Sequence, residues 1–265
     1  MPETERLPTI FFIPGAWHKP WVFDSVRGIL SARGFETEAL VLATAGSSDP
    51  DIGLQDDAAK ARSALTKLID DGKEVLVVAH SYGGIVASNA VKGLSTTQRT
   101  ADGLKGGVSM VLYLAAFIIT ANTSLVMAAS HSSFGGGGGP PDWWDISEDG
   151  KFVTPSDPRE MFYHDVEPSL AQKAIDALLP MPVRSAADVS LFDPRDGGFE
   201  VGYIFAEEDR AVPIDAQKGL FELFPAGSFS ASLPTSHSPF LSNPDALADT
   251  LQKAIKHLLT KRSQA

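Results

Sequence analysis

The stretch Val75-Leu76-Val77-Val78-Ala79-His80-Ser81-Tyr82-Gly83-Gly84 runs an apolar segment straight into a small-x-Ser-x-Gly-Gly turn. An apolar helical pattern over residues 85–94 follows at once. A continuous apolar run bounded by turn residues predicts a strand buried on both faces. A strand that turns sharply into a helix forces its corner residue into a strained conformation and lifts that side chain above the sheet. The residues two before and two after the corner must be small, because their backbones nearly touch; Ala79 and Gly83 meet that need. Ser81 is thereby read as a nucleophile. The following helix N-terminus puts partial positive charge beside a developing oxyanion, and the N–H of Tyr82 points the same way.

Outward from this corner the pattern repeats. Apolar runs at Thr9–Ile13, 39–43, 108–114 and 201–205 read as further buried strands. Between them lie helical patterns at 58–68, 216–223 and 245–259, the last behind an Asn243-Pro244 start signal. Strands alternating with helices imply an α/β fold with a mostly parallel central sheet flanked by helices. Residues 118–198 break the rhythm with five glycines at 135–139, then Pro140-Pro141, Trp143-Trp144 and several further prolines. One short helix is expected from Pro168-Ser169 to Leu179. A structureless loop of that length is improbable in a compact domain. The expectation is a core of residues 1–117 and 199–265 with a lid inserted at 118–198. The glycine run is either a hinge or a tolerated surface loop.

A serine hydroxyl is a weak nucleophile and needs a base, itself oriented by a carboxylate. Behind this kind of turn the chain order is serine, acid, histidine. The strand at 201–205 leads into Ala206-Glu207-Glu208-Asp209-Arg210-Ala211-Val212-Pro213. The carboxyl end of a parallel strand faces the ligand crevice, so Asp209 is the first choice of acid and Glu208 the second. Among six histidines, His237 sits in a loop before the last helix, after a short run at 228–233. His257 lies inside that helix, His80 should point away from Ser81, and His131 and His164 fall in the insertion. The first strand ends in Pro14-Gly15-Ala16-Trp17-His18, where Ala16 offers a second oxyanion N–H and Gly15 allows close backbone approach. Substrate-binding candidates are Gly15, Trp17, His18 and Trp21, with Trp143, Trp144 and Tyr163 from the insertion. Phe134, Phe152 and Phe162 add to its aromatic content, which either lines an apolar pocket or packs the insertion onto the core.

Composition narrows the classes. With 43% hydrophobic residues the chain can bury a sizeable core. The absence of cysteine excludes disulfides, thiolate catalysis and cysteine metal sites. No two histidines show helical metal-ligand spacing, so neither metal nor cofactor is expected. A net charge of −11 repels nucleic acid and anionic membranes, and neither is expected as a partner. No signal-peptide core and no apolar stretch of roughly 18 residues is present, and a cytoplasmic protein is expected.

Four motifs occur in order: Pro14-Gly15-Ala16-Trp17-His18-x-x-Trp21, Ala79-His80-Ser81-Tyr82-Gly83-Gly84, Glu208-Asp209-x-Ala211-Val212-Pro213 and Ser236-His237-Ser238-Pro239. Together they resemble the small α/β-hydrolases related to plant methyl esterases and hydroxynitrile lyases, and look closer still to microbial hydrolases of that group. The resemblance implies Ser81, Asp209 and His237 as a triad, Ala16 and Tyr82 as oxyanion donors, and a lid inserted after the strand at 108–114. It also implies a core without the first two strands of larger hydrolases. Pro14 stands where many relatives have histidine. The lyase branch has a lysine after the catalytic histidine and a threonine at the position of Gly15; this chain has Ser238 and Gly15. The expected function is serine hydrolysis of a small apolar or aromatic carboxylic ester or lactone through an acyl-enzyme. The alternatives are a ligand receptor on the same fold and a hydroxynitrile-lyase-type C–C lyase.

Overall fold

In the computed structural model the described residues are 7–130 and 140–264. The glycine run at 135–139, with His131 and Phe134, lies outside them. In chain order the elements are β1 (Thr9–Ile13), α1 (Asp24–Ala32), β2 (Thr37–Ala39), α2 (Leu54–Asp70), β3 (Glu74–His80), α3 (Gly83–Ala90), α4 (Thr96–Ala101) and β4 (Gly107–Leu114). Then come α5 (Leu125–Ser130), β5 (Trp144–Ile146), β6 (Phe152–Pro155), α6 (Pro158–Phe162), α7 (Pro168–Asp176), β7 (Met181–Pro182) and α8 (Arg184–Ala187). The chain closes with β8 (Val201–Ala206), α9 (Ile214–Phe221), β9 (Phe229–Leu233), α10 (Pro239–Ser242) and α11 (Pro244–Ser263).

The main sheet has six strands in the order β2-β1-β3-β4-β8-β9. Every pairing in it is parallel. Strands β1, β4 and β8 are buried along their whole length, and β3 at all but its first residue. These central strands are covered on both faces by helices, which is why they read as unbroken apolar runs. Edge strand β9 alternates buried and exposed residues instead. Helix α1 packs with α11, and α2 with α3.

The second strand differs from expectation. Only Thr37–Ala39 pairs with β1, while the apolar run at 39–43 leaves the sheet after one further bond, from the Leu40 amide to the Phe12 carbonyl at 2.9 Å. Leu40 and Leu42 are buried and Val41 is half exposed, so the run lies over the core as a loop. Helix α1 has no counterpart among the expected elements. Its buried stripe is only Val26 and Leu30, interrupted by Arg27 and Gly28, which hides the helical period.

Residues between β4 and β8 contain more structure than the sequence suggests. Helix α7 matches the expected one, and a second sheet, β5-β6-β7, is antiparallel. Its strands are two to four residues long, too short to show an alternating pattern.

Helix α3 starts against the neighbouring backbone. A Cβ on Gly84 would sit 2.3 Å from the Phe117 carbonyl oxygen and 3.0 Å from the Tyr113 ring, whereas one on exposed Gly28 meets nothing within 4 Å. We expect Gly84→Ala to cost about 3 kcal/mol or prevent folding, and Gly28→Ala to add about 0.5–1 kcal/mol through helix propensity. Urea melts of the two variants check this; equal midpoints would contradict the close packing at α3.

Candidate active site

Ser81 has φ +54°, a left-handed conformation that serine rarely adopts. Its amide donates to the Leu114 carbonyl at 3.2 Å, and its own carbonyl accepts from Phe117 N–H at 3.2 Å. Those two bonds pin the corner between β3 and α3 onto the end of β4. The first loop comes equally close. A Cβ on Gly15 would lie 2.8 Å from His80 Nδ1 and 2.9 Å from Ser81 Cβ, so a side chain there would force the His80 ring or Ser81 to shift.

Asp209 follows β8 and is buried. Its Oδ1 accepts the amides of Ala211 and Val212 at 2.8 and 2.9 Å. Its Oδ2 accepts Gln217 Nε2 at 3.3 Å and His237 Nδ1 at 2.7 Å. A carboxylate only accepts hydrogen bonds, so the bond puts a proton on Nδ1, and in the neutral tautomer the lone pair lies on Nε2. Gln217 was not among the sequence candidates. It is fully buried on α9 and also bonds Ala206 N, Ala206 O and Val212 O, bracing the whole acid loop. Its one sequence signal is an amide between Ala216 and Leu220 on a helix just after the acid. Glu208, the second choice of acid, is exposed and bonds through its backbone, its carbonyl accepting from His164 Nε2 at 2.9 Å and its amide donating to the Thr235 carbonyl at 3.0 Å.

His80, beside the serine, reaches the histidine loop. Its Nε2 donates to the His237 carbonyl at 2.9 Å, and the two rings lie 4.5 Å apart. Burial, with the neighbouring His237 and His18, holds His80 well below the ordinary imidazole range. The loop of Ser81 and the loop of His237 are thus bonded to each other through a neutral ring.

The amides of Ala16 and Tyr82 have no acceptor among the described residues, and both residues line the same cavity as Ser81. The Ala16 carbonyl accepts from His18 Nδ1 at 2.6 Å, which fixes the next peptide, Ala16–Trp17. The Tyr82 hydroxyl donates to Asp57 Oδ2 at 2.9 Å, and Asp57 also accepts Thr44 N and Oγ1 at 3.0 and 2.7 Å. Asp57 is fully buried, and that burial pushes its pKa up despite these bonds.

The cavity above Ser81 is walled by Trp17, Phe117, Leu125, Trp143, Trp144, Val153, Phe162, Met181 and Val212, with no charged side chain among its lining residues. The cavity volume is about 30 Å³. That is room for about two waters. The aromatic walls pack edge-on: Trp17 lies 5.9 Å from both Trp143 and Trp144.

Of the seven expected substrate contacts Trp17, Trp143 and Trp144 line this cavity, and Gly15, His18, Trp21 and Tyr163 do not. His18 and Tyr163 are buried behind the wall and bond each other, His18 Nε2 to Tyr163 Oη at 2.6 Å. Trp21 is half-buried under Lys173, whose Nζ lies 4.5 Å from its ring. Their sequence positions next to Trp17 or Phe162 carried no information on facing. The missed wall residues Phe117, Leu125, Val153, Met181 and Ser185 come from separate elements, which no local pattern joins. Among the described residues no cluster of three or more histidine, aspartate or glutamate side chains could hold a metal ion, and no helix is long and apolar enough to cross a membrane.

Burial pushes His18 down to about 4 from its ordinary 6.5, with the Ala16 bond opposing. Between those values the unfolded chain binds a proton that the folded chain refuses. The stability from neutral His18 is therefore present above about pH 6.5 and lost as pH falls towards 4, by up to about 3 kcal/mol. Thermal melts from pH 7.5 to 4 should fall more steeply for the wild type than for His18→Gln; parallel curves would contradict the buried neutral ring.

Comparison with known proteins agrees with this architecture. A sequence profile described as "Alpha/beta hydrolase family" matches residues 10–250. The chain is similar to "Alpha/beta hydrolase nvfD" of Aspergillus novofumigatus (strain IBT 16806), 26% identical over 249 residues, covering 93% of this chain and 96% of the relative. It is similar to "Methylesterase 7" of Arabidopsis thaliana, 27% identical over 257 residues, covering 90% and 93%. The crystal structure of the methylesterase MES16 from Arabidopsis superposes with a TM-score of 0.74 over 94% of this chain and 99% of that one, at 23% identity. The corner at Ser81, the parallel sheet beneath it and the profile match place this chain in the α/β-hydrolase family.

Proposed function

We propose that this protein is a serine esterase whose nucleophile is Ser81, with His237 as base and Asp209 as its orienting acid. The observation that carries the reading is the chain of bonds from Asp209 through His237 to His80, the residue next to the strained serine. Ser81 Oγ attacks the ester carbonyl carbon as its proton passes to His237 Nε2. The carbonyl oxygen becomes an oxyanion, which accepts hydrogen bonds from the amides of Ala16 and Tyr82. The tetrahedral adduct expels the alcohol, which takes the proton from His237, and leaves Ser81 acylated. Water then attacks the acyl carbon while giving a proton to His237, and Ser81 departs with that proton. Asp209 stays ionised throughout and steadies the imidazolium.

The uncharged wall supports a neutral, apolar or aromatic acyl group of an ester or lactone. The methylesterase names among the relatives fit a small alcohol as leaving group. A hydroxynitrile lyase is not favoured, because Ser238 follows His237 and Gly15 has no side chain to bind a hydroxyl. Residues 118–198 serve as a lid in this reading, since Leu125, Trp143, Trp144, Val153, Phe162 and Met181 from that stretch line the cavity above Ser81.

Hydrolysis of p-nitrophenyl butyrate tests this. Ser81→Ala and His237→Ala should each lower kcat by about 10³-fold or more, and Asp209→Asn by a similar factor through the wrong tautomer. EDTA should leave the rate unchanged. Ser81→Ala turning over within tenfold of wild type would remove the reading, whereas reaction of Ser81 with a fluorophosphonate but no turnover of any ester would favour a receptor. Trp143→Ala should raise kcat/KM several-fold for a bulky aryl ester relative to the butyrate.

A further inference from the structure

We propose that Ser236 is a positioning residue for His237, and that residues 162–165 form the clamp that holds it. The inference rests on His237 being the base. Ser236 is fully buried immediately before His237. Its amide donates to Asp165 Oδ2 at 2.9 Å, and its hydroxyl donates to the Phe162 carbonyl at 3.0 Å. Both acceptors belong to one short piece, from the last residue of α6 into the loop before α7, far from Ser236 in sequence.

That piece also reaches the other two loops of the site. The Tyr163 hydroxyl donates to His18 Nε2 at 2.6 Å, behind the Ala16 loop. His164 Nε2 donates to the Glu208 carbonyl at 2.9 Å, and Glu160 pairs with Arg210, on either side of Asp209. The Phe162 ring lies 5.5 Å from the His237 ring and stacks on Trp17 at 5.8 Å, forming part of the cavity wall. So the segment that closes the cavity also gathers the loops that bear the reacting groups.

The His237 ring is bonded at Nδ1, and its backbone is held on either side. Asp209 holds Nδ1, His80 holds the residue's own carbonyl, and the 162–165 piece holds Ser236. Without the third, the loop pivots about the other two and Nε2 leaves the line of the serine. Misplacement of a reacting group by about 1 Å costs on the order of 10²-fold in rate, so even partial release is visible in kcat. A substrate that presses on Phe162 acts on the same carbonyl that Ser236 grips, which couples cavity filling to the base.

The test uses the full-length protein with Ser236→Ala, Asp165→Ala and Asp165→Asn, the last keeping an oxygen acceptor for the Ser236 amide. For Ser236→Ala and Asp165→Ala we expect kcat for p-nitrophenyl butyrate to fall about tenfold with KM within about twofold, and Asp165→Asn to stay near wild type. The proton NMR signal of the His237 Nδ1 proton, bonded to Asp209, should broaden into exchange with water in the first two and persist in the third. A merely structural role lowers the melting temperature and leaves this signal and kcat in place. Unchanged kcat and signal in Ser236→Ala and Asp165→Ala, or an equal loss in Asp165→Asn, would overturn the proposal. If the wild type shows no turnover, the esterase reading fails separately, and the Nδ1 signal alone decides whether Ser236 positions the ring.

Discussion

The left-handed backbone at Ser81 costs about 1–2 kcal/mol in a residue with a Cβ. It persists because the surroundings leave no alternative. β3 and β4 are hydrogen-bonded up to His80 and Leu114, and the Ser81 amide and carbonyl continue that ladder onto Leu114 and Phe117. Gly83 and Gly84 let α3 begin against the carbonyls of Pro14 and Phe117, where a side chain would collide. The first loop closes over the same corner through Gly15. Strain at one residue is thus held by a sheet, a helix and a loop, and each of these delivers a group to the cavity.

Burial sets the electrostatics around that corner. His18 and His80 are neutral because a charged imidazole there would be desolvated, and their tautomers follow from the carbonyls they bond. Asp209 is equally buried but accepts hydrogen bonds on both oxygens, from two amides, Gln217 and His237. A charge can be kept in such a place only when its lone pairs are satisfied. No charged side chain lines the cavity, so in the proposed reaction a developing oxyanion would rely on the amides of Ala16 and Tyr82, which have no acceptor among the described residues. Low dielectric surroundings strengthen that interaction.

The parallel core was legible because burial on both faces writes itself as apolar runs. The corner at 79–84 was legible because its geometry tolerates few residue types. Edge elements were not. β2 pairs through Thr37–Ala39, outside the apolar run beside it, and the two- to four-residue strands β5, β6 and β7 have no room for a period. Asp209 and His237 were found from chain order and loop position, and the structure brings them within 2.7 Å. Gln217 was missed, and Ser236 was read only as part of a motif, because a buried polar side chain looks like any surface one until its partners are known. The direction of a side chain was the least legible quantity of all. Trp17 faces the cavity, while its neighbour His18 and, four residues on, Trp21 do not.

The measurement that bears most directly on the central claim is rapid acid quenching during turnover of p-nitrophenyl butyrate, followed by peptide mapping. A butyryl group on the peptide that contains Ser81, formed within the first turnover and absent from Ser81→Ala, is the predicted result. Sustained hydrolysis by the wild type with no acylated peptide at any quench time, or with the acyl group on another residue, would contradict Ser81 as the nucleophile.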